Sequence, residues 1–153
     1  FRTAKRMELI MKEPLPKAVD TDSAPTGTLA LVFLKVQGAE TFDPEHDRDV
    51  FEPLCDVVRQ EILNLGGHEA FQGRDRFLVL FERCTLAMRF CLNVQELLLG
   101  VHWTRSVLRA ESAVTQAWQG RDVFHGLRVQ MGLHFGPVQT YTDPFSQHVA
   151  YTG

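Results

Sequence analysis

The segment His125–Val138, HGLRVQMGLHFGPV, constrains the fold of this chain more than any other stretch. Leu127, Val129, Met131, Leu133 and Phe135 alternate with Arg128, Gln130, Gly132 and His134. A strict period of two marks a strand with one face buried and the other turned to a cleft or to solvent. The pattern runs into Gly136-Pro137, a turn signal, and a second strand-like run follows in Val138–Tyr141.

The rest of the chain supplies partners for such a strand. Thr28–Val36, TLALVFLKV, is almost unbroken in its apolar character and reads as a central strand covered on both faces. Val50, Phe51, Leu54, Val57, Val58, Ile62 and Leu65 then recur at helical spacing and stop at Gly66-Gly67. Two starts are open for that helix: Asp43-Pro44 as cap and first turn, or a later one marked by Pro53. A hairpin follows, with Glu69–Gln72, a turn through Gly73-Arg74-Asp75, and Arg76–Glu82. Thr85 is a candidate N-cap for a second amphipathic helix through Leu86, Ala87, Phe90, Cys91, Val94, Leu97 and Leu98. Residues 100–125 read as an irregular insertion with some helix around Trp103, Leu108, Val114 and Trp118. The order predicts an α+β fold, with helices packed on one face of a mainly antiparallel sheet.

Composition narrows the function classes. The chain has 153 residues, 44% of them hydrophobic and 23% charged, which suits one globular domain with a proper core. A net charge of -3 leaves no basic excess for a phosphate backbone, so a nucleic-acid partner is not expected. Cys55, Cys84 and Cys91 fit neither a CxxC nor a zinc-finger spacing and lie in apolar patterns. Buried free thiols in a reducing, cytoplasmic compartment are the expectation. The longest apolar run, Leu29–Leu34, is too short to cross a bilayer, and the N-terminus lacks a signal peptide's apolar segment. Residues 1–27 have linker composition and a small basic cluster (Arg2, Lys5, Arg6), so a leader precedes a domain at 28–153. That leader is either solvated or juxtamembrane, the cytosolic side of an anchored protein. Opening on Phe1 and stopping at Gly153 within a strand-like run, the chain reads as an excerpt of a longer protein.

The motifs, taken in order, resemble the class III nucleotide cyclase catalytic domain, and most closely the adenylate cyclases of trypanosomatid parasites. Leu31-Val32-Phe33-Leu34-Lys35-Val36-Gln37 is similar to the family's first strand, LIFTDIESS. Glu69–Leu78, EAFQGRDRFL, is similar to its hairpin EVKTVGDSFM, and Gly126–Gly136 to its GLRVRVGIHTG. Val149–Gly153 resembles a late YDYYG. The resemblance runs from about Thr28 to the end, loosely over 100–125. It implies a ferredoxin-like core and a domain that continues past Gly153.

The family likeness also implies a chemistry. Two such domains pair head to tail around ATP, and two aspartates hold two Mg²⁺ or Mn²⁺ ions that activate the ribose 3′-oxygen. A lysine and an aspartate read adenine. In this chain the first metal-binding aspartate corresponds to Lys35, which offers no lone pair and repels a cation. The second corresponds to Asp75, set between Arg74 and Arg76, either of which can satisfy its carboxylate. The adenine-reading lysine corresponds to Phe71 and the adenine-reading aspartate to Ala150. The family's later asparagine and arginine fall beyond Gly153.

Several readings stay open at this stage. Asp75 is a surviving metal ligand or a plain turn residue. Lys35 is a salt-bridging cation in the place of a metal, or a strand-end lysine reaching solvent. Arg128 and His134 are cleft contacts or ordinary strand residues; Phe71 and Phe135 form a patch in the nucleotide cleft or pack elsewhere. Cys84 and Cys91, seven apart, share a helical face and read as core packing rather than redox chemistry. For function, the leading expectation is a catalytically degenerate cyclase domain that regulates or dimerises, as a homodimer or with another cyclase domain. Such a chain needs no cofactor of its own. The alternatives are an active adenylate cyclase when properly paired, with Mg or Mn, and a non-catalytic nucleotide sensor.

Overall fold

The computed structural model describes residues 25–43, 47–142 and 149–152. Most of the expected leader therefore lies outside the described residues, as does Pro44. One five-stranded antiparallel sheet organises the fold, in the order β2-β3-β1-β6-β7. Its strands are β1 (Gly27–Val36), β2 (His68–Gln72), β3 (Arg76–Phe81), β6 (Val129–Thr142) and β7 (Val149–Thr152). Helices α1 (Glu52–Leu65) and α2 (Cys84–Leu99) cover one face, as the α+β reading expects. No helix among the described residues is long and apolar enough to cross a membrane.

Helix α1 begins where Pro53 can sit in the first turn without costing a hydrogen bond, so the later of the two starts is the one adopted. It ends at Gly66, whose left-handed φ of 63° lets its N–H and that of Gly67 reach back to the carbonyls of Leu63 and Ile62. The helix buries Leu54, Val58, Ile62 and Leu65 against the sheet. Helix α2 starts one residue earlier than its expected cap. Arg83 holds the N-cap position in extended conformation, and Thr85 is already inside the first turn. Phe77 and Phe81 from β3 and Phe90 from α2 are completely buried at the junction, each contributing about 1.5–3 kcal/mol of hydrophobic stabilisation.

Three expectations are corrected. First, β1 is covered on both faces only near its start, where Leu29 is buried on the helix-free side. Ala30, Val32, Leu34 and Val36 lie under the helices, whereas Phe33 is 45% exposed and Lys35 is exposed. An unbroken apolar run cannot reveal on its own that part of it faces outward. Second, Gly136-Pro137 is not a turn. Strand β6 runs through it for 14 residues. The two residues pair with Leu29 and Thr28, just before β6 passes from its ladder with β1 to its ladder with β7, which begins at Gln139. Proline is tolerated where a ladder changes hands. Third, the insertion contains strand as well as helix. A short helix α3 (Arg105–Arg109) and a 3-10 turn (Glu111–Ala113) precede a hairpin of β4 (Gln116–Trp118) and β5 (Arg121–Phe124).

The alternating stripe on β6 is real but unevenly covered. Leu127 is buried and Val129 and Met131 pack on the core, while Leu133 and Phe135 extend past the helices and are exposed. The three cysteines are free thiols, half-buried rather than fully buried.

Candidate functional site

Residues paired directly across antiparallel strands share a face of the sheet, so the register decides what meets what. On the helix-free face, Arg76 of β3 and Gln130 of β6 flank Lys35 of β1. One row along, Phe71, Leu78, Phe33 and Gly132 form a stripe across β2, β3, β1 and β6. Phe71 is 51% exposed. Farther on, Leu29, Leu80 and Val138 form a small second core with Tyr151 of β7 packed against it. The far end of this face is thus closed, and the end holding Lys35 is open.

The β2–β3 turn is pinned at both ends. The Gly73 N–H donates to the Arg76 carbonyl and the Val36 N–H to the Asp75 carbonyl, each at 2.8 Å. Within the turn the two arginines part company. Arg74 reaches away, its Nη2 donating to the Phe42 carbonyl at 2.9 Å with the guanidinium 5.1 Å over the Phe51 ring. Arg76 folds onto its neighbour, with Nε 3.0 Å from Asp75 Oδ1 and Nη2 3.4 Å from Oδ2. The Arg76 hydrogen bond holds the Asp75 carboxyl below the usual carboxylate range. Burial opposes this, and the charges of Arg76 and Lys35 reinforce it.

This arrangement does not fit a divalent ion. Both oxygens of Asp75 face a guanidinium, and Lys35 has no lone pair to give. Among the described residues, no three His, Cys, Asp or Glu side chains converge as a metal-binding group. Of the residues singled out from the sequence, the structure brings Lys35 and Asp75 to one corner and puts Phe71 on the adjoining stripe. Ala150 pairs with Tyr141 in the β6–β7 ladder, and its side chain lies outside the described residues. Phe71 and Phe135 do not form one patch. Phe135 pairs with Ala30 on the helix side, and Phe71 with Leu78 on the open side. His134 shares the open face through its pairing with Leu31. Arg128 precedes β6 and is half-buried, its Nη2 donating to the Val114 carbonyl at 2.8 Å.

Sequence reasoning missed Gln130 as a neighbour of Lys35, although its place in the alternation carried that signal. It also missed a cavity of about 500 Å³ between α1 and the β2–β3 turn, lined in part by Cys55, Asp56, Arg59 and Arg74. There Arg59 bonds Gln72 and lies 3.6 Å from Glu69, while burial pushes the Cys55 thiol up.

With this geometry in view, known proteins locate the fold. A structure of adenylate cyclases from Trypanosoma brucei in their monomeric state superposes with a TM-score of 0.69 at 23% identity, covering 88% of this chain and 68% of that one. The chain has the fold of a class III nucleotide cyclase catalytic domain. The dimeric guanylyl cyclase domain of the RhoGC fusion protein of Blastocladiella emersonii also shares this fold, with a TM-score of 0.61 at 10% identity, covering 86% and 70%. In sequence, this cyclase-like domain is 31% identical over 137 residues to an adenylate cyclase of Podospora anserina. That match takes in 85% of this chain but 6% of the relative, so the cyclase-like domain spans only a small part of the relative's length. No protein-family model matches the chain.

Proposed function

We propose that this chain is a cyclase domain that does not convert ATP to cyclic AMP by itself and serves as a regulatory or pairing half in cyclic-nucleotide signalling. The observation that carries the reading is the double hydrogen bond from Arg76 to Asp75. It commits the one carboxylate of the corner to a guanidinium, with Lys35 alongside. Phe71 adds to it, because a phenyl ring cannot hydrogen-bond the edge of a base. Losing metal coordination and base positioning together removes several powers of ten in rate.

A domain kept for its surface keeps apolar groups outside its core. Phe33 and Phe71 are large, exposed and on the helix-free face, the composition of a contact surface. The partner is a second copy or a catalytically competent cyclase domain. Half-buried free thiols suit a cytoplasmic setting.

The test is an assay of the full chain with ATP and Mn²⁺, alone and mixed with a competent adenylate cyclase domain. No cyclic AMP from the chain alone, and a changed rate in the mixture, are expected. Cyclic AMP made by the chain alone and abolished by Asp75→Ala overturns the reading.

A further inference from the structure

The β4–β5 hairpin carries Trp118, which at 70% is the most exposed large apolar side chain among the described residues. Its strands are joined by Gln119 and Gly120, both with φ in the left-handed region (50° and 76°), so the tip is tight and stiff. Trp118 pairs with Arg121 and Gln116 with Phe124, and a bulge between the two pairs leaves Val123 as the extra residue. These four paired residues therefore share one face, and all of them are exposed, as is Val123. Positive charge gathers around the same hairpin. Residues 101–128 hold Arg105, Arg109, Arg121 and Arg128 against Glu111 and Asp122. That is a net charge of +2 in a chain of net charge -3, so the remaining residues carry -5. Arg105 and Arg109 are exposed on α3, the helix that leads into the hairpin.

We propose that this hairpin docks the domain on an anionic lipid surface, with Trp118 entering the headgroup layer and Arg121 meeting lipid phosphates. The inference goes beyond the pairing role, which rests on the sheet face of Phe33 and Phe71. An exposed indole has an apolar body and a single N–H donor, and it is at home between headgroups and acyl chains. The guanidinium directly across the ladder supplies planar, paired donors for a phosphate. Size favours lipid over a folded protein as the occupant. Strands of three and four residues joined by a two-residue turn fall well short of the roughly 20–30 residues a side that a stable protein interface uses. A bilayer needs no matched shape, so one stiff aromatic tip within a locally positive field is enough for reversible attachment. The acidic remainder of the chain is repelled by the same surface, which turns the hairpin toward it.

The full chain is mixed with vesicles of phosphatidylcholine alone, or with about one-third phosphatidylserine, and binding is read by co-sedimentation and tryptophan emission. Binding is expected only with phosphatidylserine, and added salt should weaken it. Trp118 emission should shift to the blue and be quenched by lipids brominated on their acyl chains, while Trp103, buried in the core, reports no change. Trp118→Ser should lower partitioning about tenfold and Arg121→Gln about fivefold. Both positions are exposed, so the melting temperature of each variant stays near its original value. Leu63→Ser, at an exposed apolar position on α1, leaves binding unchanged. No binding, equal binding to both kinds of vesicle, no quenching by brominated lipid, or an equal loss in Leu63→Ser overturns the proposal. A blue shift of Trp118 that grows with protein concentration in the absence of lipid gives the face to a second copy and overturns it as well. The outcome is independent of the cyclase mixing assay: failure of vesicle binding leaves the pairing role intact, and failure of pairing leaves the docking hairpin intact.

Discussion

The guanidinium of Arg128 lies 4.4 Å over the ring of Phe124, tying the last residue of β5 to the segment entering β6. The same side chain donates to the Val114 carbonyl, so one arginine clasps both ends of the β4–β5 hairpin. Residues of both its strands are exposed, and the Thr115–His125 hydrogen bond at 2.8 Å helps close its base. Arg128→Ala should cost about 1–3 kcal/mol from the lost cation–π contact and hydrogen bond. Denaturant unfolding checks the magnitude. Hydrogen exchange should show the loss of protection concentrated in residues 115–125.

Acid should weaken the fold in two windows. Burial lowers the pKa of His68, so folding favours its neutral form. The unfolded chain binds more protons, and stability falls as pH drops below the ordinary histidine value of about 6.5. Asp75 is also held low, first by the Arg76 hydrogen bond. Its contribution is complete above the ordinary carboxylate value of about 4 and is lost as pH falls from there through its folded pKa. Denaturation midpoints measured from pH 7 to pH 3 should flatten in the upper window for His68→Gln. Arg76→Gln should flatten them in the lower window.

What the sequence revealed follows from the range of each signal. Helical spacing from Leu54 to Leu65 and from Leu86 to Leu98 reports local periodicity, and both helices formed there. The alternation from Leu127 to Phe135 located β6 but could not say where the helical cover ends, because that depends on α2 packing across the sheet. Gly136-Pro137 misled because turn propensity is local, while strand continuation is enforced by two neighbouring ladders. At the candidate site, Asp75 between two arginines was legible as a compromised carboxylate. Which arginine takes it was not legible. Phe42 and Phe51, distant in sequence, draw Arg74 away and leave Arg76 to pair.

Gly126 has no room for a side chain. Its φ is 78°, and a β-carbon there would lie 2.1 Å from atoms of the Trp103 ring. Trp103 cannot retreat easily, since it is buried and its Nε1 donates to the Leu98 carbonyl at 3.2 Å. Gly126→Ala combines left-handed strain with overpacking and should cost about 3 kcal/mol or more. A red-shifted tryptophan emission together with a lowered melting temperature is the expected signature.

Burial pushes the Cys91 thiol up to about 11. At pH 7.5 its thiolate fraction is then on the order of three in ten thousand, and the thiolate is the reactive form. Cys55 is shifted the same way by burial. Alkylation of the native chain followed by mass spectrometry should label both slowly, and label them fast once denaturant releases them.

The last prediction concerns the open sheet face. Phe33 and Phe71 are 45% and 51% exposed, so replacing them forfeits little core packing. Surface substitutions of this kind usually change stability by about 0.5 kcal/mol or less. A pairing surface behaves differently, because exposed aromatics in the middle of an interface carry a large share of binding energy. Phe33→Ser and Phe71→Ser should therefore separate the two quantities, leaving the melting temperature near its original value while weakening self-association or binding to a cyclase domain tenfold or more. Sedimentation across a concentration range measures the first association, and titration against a competent domain the second. Unchanged association in both variants would remove this face from the pairing role.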